Sequence, residues 1–227
     1  PYRLRSERPS PAPTLRSIAH HHLHTPNTMR PNTLLTCCLL ASSSLFAQSG
    51  ALDASWGMDG TVTYAHDNDV LGSVAVQANG KVLAAGKFNN IIVGGLFVVR
   101  YDADGSLDAT FGDFGVEDHS VSGFQDVGDI AIQPDGKILL CGTAMDGFYL
   151  TRFNYNGSRD VDFGTDGVSL LGPNGVGVMA ARALCLQPDG KILVAGDWDE
   201  GVALARFLPD GTLDADFGSS TFPGVSY

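Results

Sequence analysis

The chain has 227 residues, 28 of them glycine, and a formal charge of −11. A surface of that sign repels phosphate backbones and anionic lipid, so nucleic acid and membrane surfaces are poor partners for it. No nucleophile elbow, phosphate loop or metalloprotease helix appears in it, which leaves no enzyme class indicated by motif.

Residues 1–28 show no hydrophobic period. They carry Arg3, Arg5, Arg8 and Arg16, several prolines and the cluster His20, His21, His22 and His24. The segment reads as sequence upstream of the true start, or as disordered, with a metal-binding histidine cluster as the competing reading. Met29 is the first methionine, followed by Arg30, an apolar run from Leu34 to Phe46 and Ala47. A basic start, an apolar core of roughly 7–15 residues and a small residue at the cut describe a secretory signal over 29–47. The run falls short of the roughly 20 apolar residues that a spanning helix needs, so no membrane insertion is expected once the signal is removed. A lipoprotein reading of Leu35-Thr36-Cys37 is the lesser alternative. Residues 48–227 alone hold nine basic and 24 acidic residues, a balance of −15.

From residue 50 onward the chain repeats itself. Gln133-Pro134-Asp135-Gly136-Lys137 and Gln187-Pro188-Asp189-Gly190-Lys191 match each other, and Gln77-Ala78-Asn79-Gly80-Lys81 is a compatible variant. Proline pre-sets φ for the second turn position, Asp or Asn suits the third, and Gly80, Gly136 and Gly190 take the left-handed conformation that follows. Apolar runs flank each turn: Val74-Ala75-Val76 and Val82-Leu83-Ala84-Ala85 in the first, with counterparts around residues 130–141 and 184–195. The spacing predicts antiparallel hairpins. Because the apolar residues are consecutive rather than alternating, the strands should be covered on both faces.

Two further signatures recur with the hairpin. Leu52-Asp53-Ala54-Ser55-Trp56-Gly57 returns at 107–112, 159–164 and 213–218, and a strand ending in Arg-aromatic recurs at Arg100-Tyr101, Arg152-Phe153 and Arg206-Phe207. One unit then reads as four short strands. The first follows the aromatic-Gly signature, as at Gly60–Tyr64; the second and third form the hairpin; the fourth ends at Arg-aromatic. Four strands in about 54 residues is the size of a propeller blade. The expected fold is all-β and β-propeller-like, with four-stranded antiparallel blades over residues 48–227. Three units and the start of a fourth fall short of the 4–8 blades of closed rings, so an incomplete, open propeller with further blades in a missing C-terminal part is expected.

These linked signatures resemble the delta-60 repeat family, over nearly all of residues 50–218. The resemblance implies a bacterial, secreted, β-propeller-like protein, often carrying a C-terminal sorting domain. It brings no agreed activity and no catalytic residues.

Candidate sites divide by whether they repeat. Arg100, Arg152 and Arg206 precede Asp108, Asp160 and Asp214 by eight residues each, which suits a structural Arg–Asp pair in every unit; a charged ring lining a channel is the other reading. The aromatics Trp56, Phe111, Phe163 and Phe217 suit wedges between blades rather than sugar platforms. Asp102–Asp108 looks superficially like a calcium loop, with turn stabilisation as its plainer role; otherwise no cofactor or metal is expected. Cys141 and Cys185 replace alanines of other units and read as small apolar residues, with a disulfide between them as the alternative. Asp197, Trp198, Asp199 and Glu200 differ from the matching loops and form the candidate ligand-binding loop.

The function these observations favour is a secreted or cell-surface, non-catalytic scaffold that binds an extracellular protein or glycan. A propeller enzyme with a metal in its central channel, lactonase-like, is the alternative, and would need Asp197, Glu200, Glu117 or Asp67 to converge. A purely structural module is the third reading.

Overall fold

A computed structural model describes residues 50–64, 69–89, 94–120, 124–145, 147–172, 180–198, 201–218 and 223–226. The segments 1–28 and 29–47 lie outside the described residues, as do Asp67, Asp199 and Glu200. Every named element is a strand. The first sheet runs β1 (Val70–Val76), β2 (Val82–Asn89), β3 (Gly94–Tyr101) and β4 (Val116–Ser120). The second runs β5 (Phe124–Ile132), β6 (Ile138–Ala144), β7 (Gly147–Phe153) and β8 (Val168–Leu171). The third runs β9 (Ala180–Leu186), β10 (Ile192–Trp198), β11 (Gly201–Phe207) and β12 (Val225–Ser226). All pairings are antiparallel and follow chain order.

The hairpin turns lie where the sequence puts them. Gly80, Gly136 and Gly190 have φ of 84°, 85° and 83°. Each donates its N–H to the turn's Gln carbonyl at 2.9 Å, and the Gln N–H reaches the Lys carbonyl at 2.8 Å. A side chain at these angles would be strained, so glycine is required by backbone conformation rather than by packing.

The phase of the unit differs from the sequence expectation. The strand that follows the aromatic-Gly signature closes the preceding sheet instead of opening the next. β4 pairs with β3, with Val98 opposite Glu117, and β8 pairs with β7, with Leu150 opposite Ser169. The cause is a tight reversal after the signature. Phe114 and Gly115 have φ of 50° and 103°, and Asp166 and Gly167 have 52° and 84°. Two successive positive-φ residues make the type I′ turn that matches strand twist, so the chain folds back on the strand it has just left. Gly115, Gly167 and Gly224 carbonyls then accept the backbone N–H of Arg100, Arg152 and Arg206 at 2.9, 3.1 and 3.0 Å.

The three sheets stack through two continuous apolar layers. Leu83, Ala85, Leu96 and Val98 on the rear of the first sheet meet Val127, Ile130, Ile138 and Tyr149 on the front of the second. Leu139, Cys141, Phe148 and Leu150 on its rear meet Ala181, Leu184, Ile192 and Val194 of the third. This double burial explains the consecutive apolar runs: every residue of β7 is buried. Each large apolar side chain so covered contributes roughly 1.5–3 kcal/mol.

β1, β5 and β9 are the first strands of their sheets, and one carboxylate links all three. Asp129 Oδ1 accepts from Ser73 Oγ at 3.0 Å, and its Oδ2 accepts from Leu184 N at 2.9 Å. The strands approach closely because β1 and β5 are bulged at glycine. A Cβ on Gly72 would run into the Val127 carbonyl, and one on Gly128 into the Ala181 carbonyl.

Candidate functional site

The repeated charges form one arrangement three times. Arg100, Arg152 and Arg206 donate through Nε to Oδ2 of Asp108, Asp160 and Asp214 at 2.5, 2.6 and 2.8 Å. The same oxygen accepts from Nζ of Lys81, Lys137 and Lys191 at 2.7, 2.6 and 2.9 Å. The lysines close the hairpin turns, so each Asp joins the turn to the third strand and to the link that leaves it. The sequence reading missed the lysines; their invariable place after the turn glycine was the available signal.

The arginines also reach across to the next unit. Arg100 donates to the Tyr155 carbonyl at 2.5 Å and Arg152 to the Pro209 carbonyl at 2.7 Å. Their guanidinium carbons lie 4.6 and 4.4 Å from the ring centroids of Phe111 and Phe163, and Arg206 lies 4.5 Å from that of Phe217. Phe111 and Phe163 are fully buried, each packed into the layer shared with the following sheet. Burial tends to raise the Asp108 and Asp160 carboxyls, but hydrogen bonds from Lys and Arg outweigh it and hold both below the usual range; Thr110 adds to the effect at Asp108. Asp214 is lowered first by Lys191.

The calcium-like loop has its oxygens engaged in turn and ion-pair contacts. Asp104 Oδ1 accepts from Ser106 N and Oγ at 2.9 and 2.7 Å, and Asp102 lies 2.8 Å from Lys81. Among the described residues, no three His, Cys, Asp or Glu side chains group as a metal site would require.

Of the candidate ligand loop, Asp197 and Trp198 are described. Asp197 accepts from Arg182 Nε at 2.8 Å, and Arg182 NH1 lies 3.8 Å from Asp126. Trp198 packs its ring against the layer between the second and third sheets. The rim therefore presents an Asp126–Arg182–Asp197 cluster, two members of which the sequence reading did not single out. Glu117 lies elsewhere, on the outer strand β4 and 3.3 Å from His119 Nε2.

Three stretches match a known family. Residues 77–111, 133–163 and 187–217 match the family model described as a domain of unknown function (DUF5122) beta-propeller. A search of curated proteins finds no match. Each matched stretch begins at the turn glutamine and ends at the aromatic of the signature, so it spans the hairpin turn, the strand that leaves it, the Arg strand and the Asp that binds it.

Cys141 and Cys185, the two cysteines among the described residues, are free. Cys141 is buried between the second and third sheets, and burial raises its thiol to about 12, with Asp129 adding to the shift. Cys185 is exposed on β9. Alkylation of the native protein followed by peptide mapping is expected to label Cys185 and leave Cys141 unmodified until the protein unfolds. Equal labelling of both would contradict the packing.

His119 stacks on Phe153 with ring centroids 4.8 Å apart, and its Nδ1 lies 3.4 Å from Arg159. Burial, reinforced by the Arg159 charge, lowers its pKa to about 4. The unfolded chain takes up this proton near pH 6.5 and the folded one only near 4, so stability falls as pH drops through that window. His119→Phe should remove about 2 kcal/mol of that pH-dependent loss, measured as unfolding midpoints at pH 7 and pH 4. An unchanged pH dependence would refute the assignment.

Proposed function

We propose that the chain is a non-catalytic repeat scaffold, exported from a bacterial cell and displayed outside it, that binds an extracellular protein or glycan through rim residues differing between units. The observation that carries this reading is the division of labour among charges. Those that repeat are tied into Lys–Asp–Arg junctions that hold sheets together. The rim cluster Asp126–Arg182–Asp197 does not repeat and remains exposed. Repetition marks scaffold, and variation on a rigid rim is where recognition is placed. The export and adhesion parts of this proposal draw on the secretory signal read over 29–47 and on the likeness to delta-60 repeats.

Among the described residues, no observation favours the lactonase-like alternative. It requires acids from several units to converge, whereas Asp197 pairs with Arg182 on the third sheet and Glu117 lies beside His119 on the outer strand of the first. A glycan and extracellular-matrix array probed with the full chain tests the proposal. Saturable binding that Arg182→Glu reduces would support it. No binding, together with metal-dependent ester or lactone hydrolysis, would overturn it.

A further inference from the structure

We propose that the outer edge of β8 takes up an extended segment of a partner protein, whose backbone pairs with Leu170 and whose apolar side chain enters the cleft beside that strand. β8 is the last strand of the middle sheet and pairs with β7 alone among the described residues. The sheets stack through their faces, so a sheet before the first or after the third would not cover this edge. Thr165 and Val168 exchange both backbone hydrogen bonds, at 2.8 and 3.2 Å, so Val168 turns its polar groups away from β7. The next residue of the ladder to do so is Leu170, which is 65% exposed. An N–H and a C=O held side by side on a strand edge are what an added strand pairs with.

β4, at the same place one unit earlier, is protected. Where β8 has Ser169, Leu170 and Leu171, it has Glu117, Asp118 and His119. Asp118 puts a carboxylate on the edge, a common deterrent to strand addition. The His119 ring stacks on Phe153, and Arg159 Nη2 lies 3.4 Å from His119 Nδ1, which fills the space between the edge strand and the next unit. At β8 none of these groups is present. Leu171, Phe207 and Leu213 stand where His119, Phe153 and Arg159 do, and they line a cleft of about 500 Å³. It lies at the junction of the second and third sheets, not on an end face.

The lining selects the occupant. Its polar side chains are Thr165, Ser169 and Thr212, and no charged side chain lines it. Ser169 Oγ already donates to the Gly211 carbonyl at 2.6 Å. In an added strand, the residues on either side of the one opposite Leu170 point to the face that Ser169 and Leu171 share, over the cleft. An apolar side chain there is covered by Leu171, Phe207 and Leu213, whereas a charged one would lose water and gain no partner. A glycan or a lipid has no peptide ladder to offer Leu170, so the partner is a protein segment in extended conformation. This surface shares no residue with the Asp126–Arg182–Asp197 cluster and does not depend on the rim reading.

Fluorescent heptapeptides Lys-Thr-Val-X-Val-Thr-Lys, mixed with the full chain, test this. With phenylalanine or leucine at X, saturable binding with Kd below about 1 mM is expected. Lysine or aspartate at X, or methyl groups on both valine nitrogens, should weaken it at least about tenfold. The Leu170 amide should exchange with solvent more slowly when the phenylalanine peptide is bound. Leu170→Asp and Leu213→Arg, which copy Asp118 and Arg159, should each weaken binding about tenfold while circular dichroism stays native. Leu170→Asp, at an exposed position, decides alone if Leu213→Arg unfolds. No binding of either apolar peptide at about 1 mM would overturn the proposal. So would equal binding of the charged or methylated peptides, a Leu170 amide that gains no protection, or Leu170→Asp that binds as the unmodified chain does.

Discussion

Asp160→Ala is expected to destabilise the protein by about 3–5 kcal/mol, because it leaves Arg152 and Lys137 without their shared counterion at a buried junction. Asp160 is 4% exposed, and Arg152 lies between Phe163 and the Pro209 carbonyl of the next unit. Removal of the carboxylate frees the hairpin turn, the third strand and the link together. Asp214→Ala removes the same atoms from the same arrangement. There the lysine is about equally exposed, but the Arg206 side chain is 21% exposed against 10% for Arg152, so water takes over part of its solvation and the loss should be smaller. Denaturant unfolding of the two variants measures the difference. Equal losses would mean that the following sheet contributes nothing to the pair. Acid should narrow the gap between Asp160→Ala and the unmodified chain. The carboxyl's folded pKa is lowered, so its contribution is present above the ordinary carboxylate value and is lost as pH falls through the lowered one.

Gly128→Val should cost about 3 kcal/mol, the upper end of the usual penalty for overpacking. The added Cβ would meet the Ala181 carbonyl, with Arg182 Cα 3.2 Å away. These are backbone atoms of a strand paired with β10, so neither can retreat as a side chain would. Arg182→Gly, at the equivalent place in the third sheet, should stay within about 1 kcal/mol, since it removes an exposed side chain and a surface ion pair. Thermal midpoints of both variants decide the matter. A tolerated Gly128→Val would show that β5 and β9 do not approach as closely as the structure places them.

Much of this architecture was legible because local chemistry and tertiary environment agree. The Gln-Pro-Asp-Gly-Lys turns specify their own geometry, and consecutive apolar residues specify two covered faces. The phase of the unit was harder to read. It depends on Asp166-Gly167 and Phe114-Gly115, where two left-handed residues reverse the chain, and only the first pair is a strong sequence signal for that turn. The Arg–Asp spacing of eight pointed to a pair. It did not reveal that Lys137 shares the carboxylate or that Arg152 reaches Pro209, since both depend on which loops meet in space. Trp198 was singled out as part of an accessible loop, yet its ring packs against an intersheet layer. Arg182 carried no signal until the bulge glycines of the other sheets showed what its position normally holds.

The central claim is that each link closes the sheet it leaves and holds the following sheet against it. Isotope-edited NOE spectroscopy across the outer strands tests this most directly. Cross-strand contacts are expected between Leu150 and Ser169 and between Val98 and Glu117. Contacts of Ser169 with residues of β9 in place of Leu150 would assign the link to the next sheet and contradict the account.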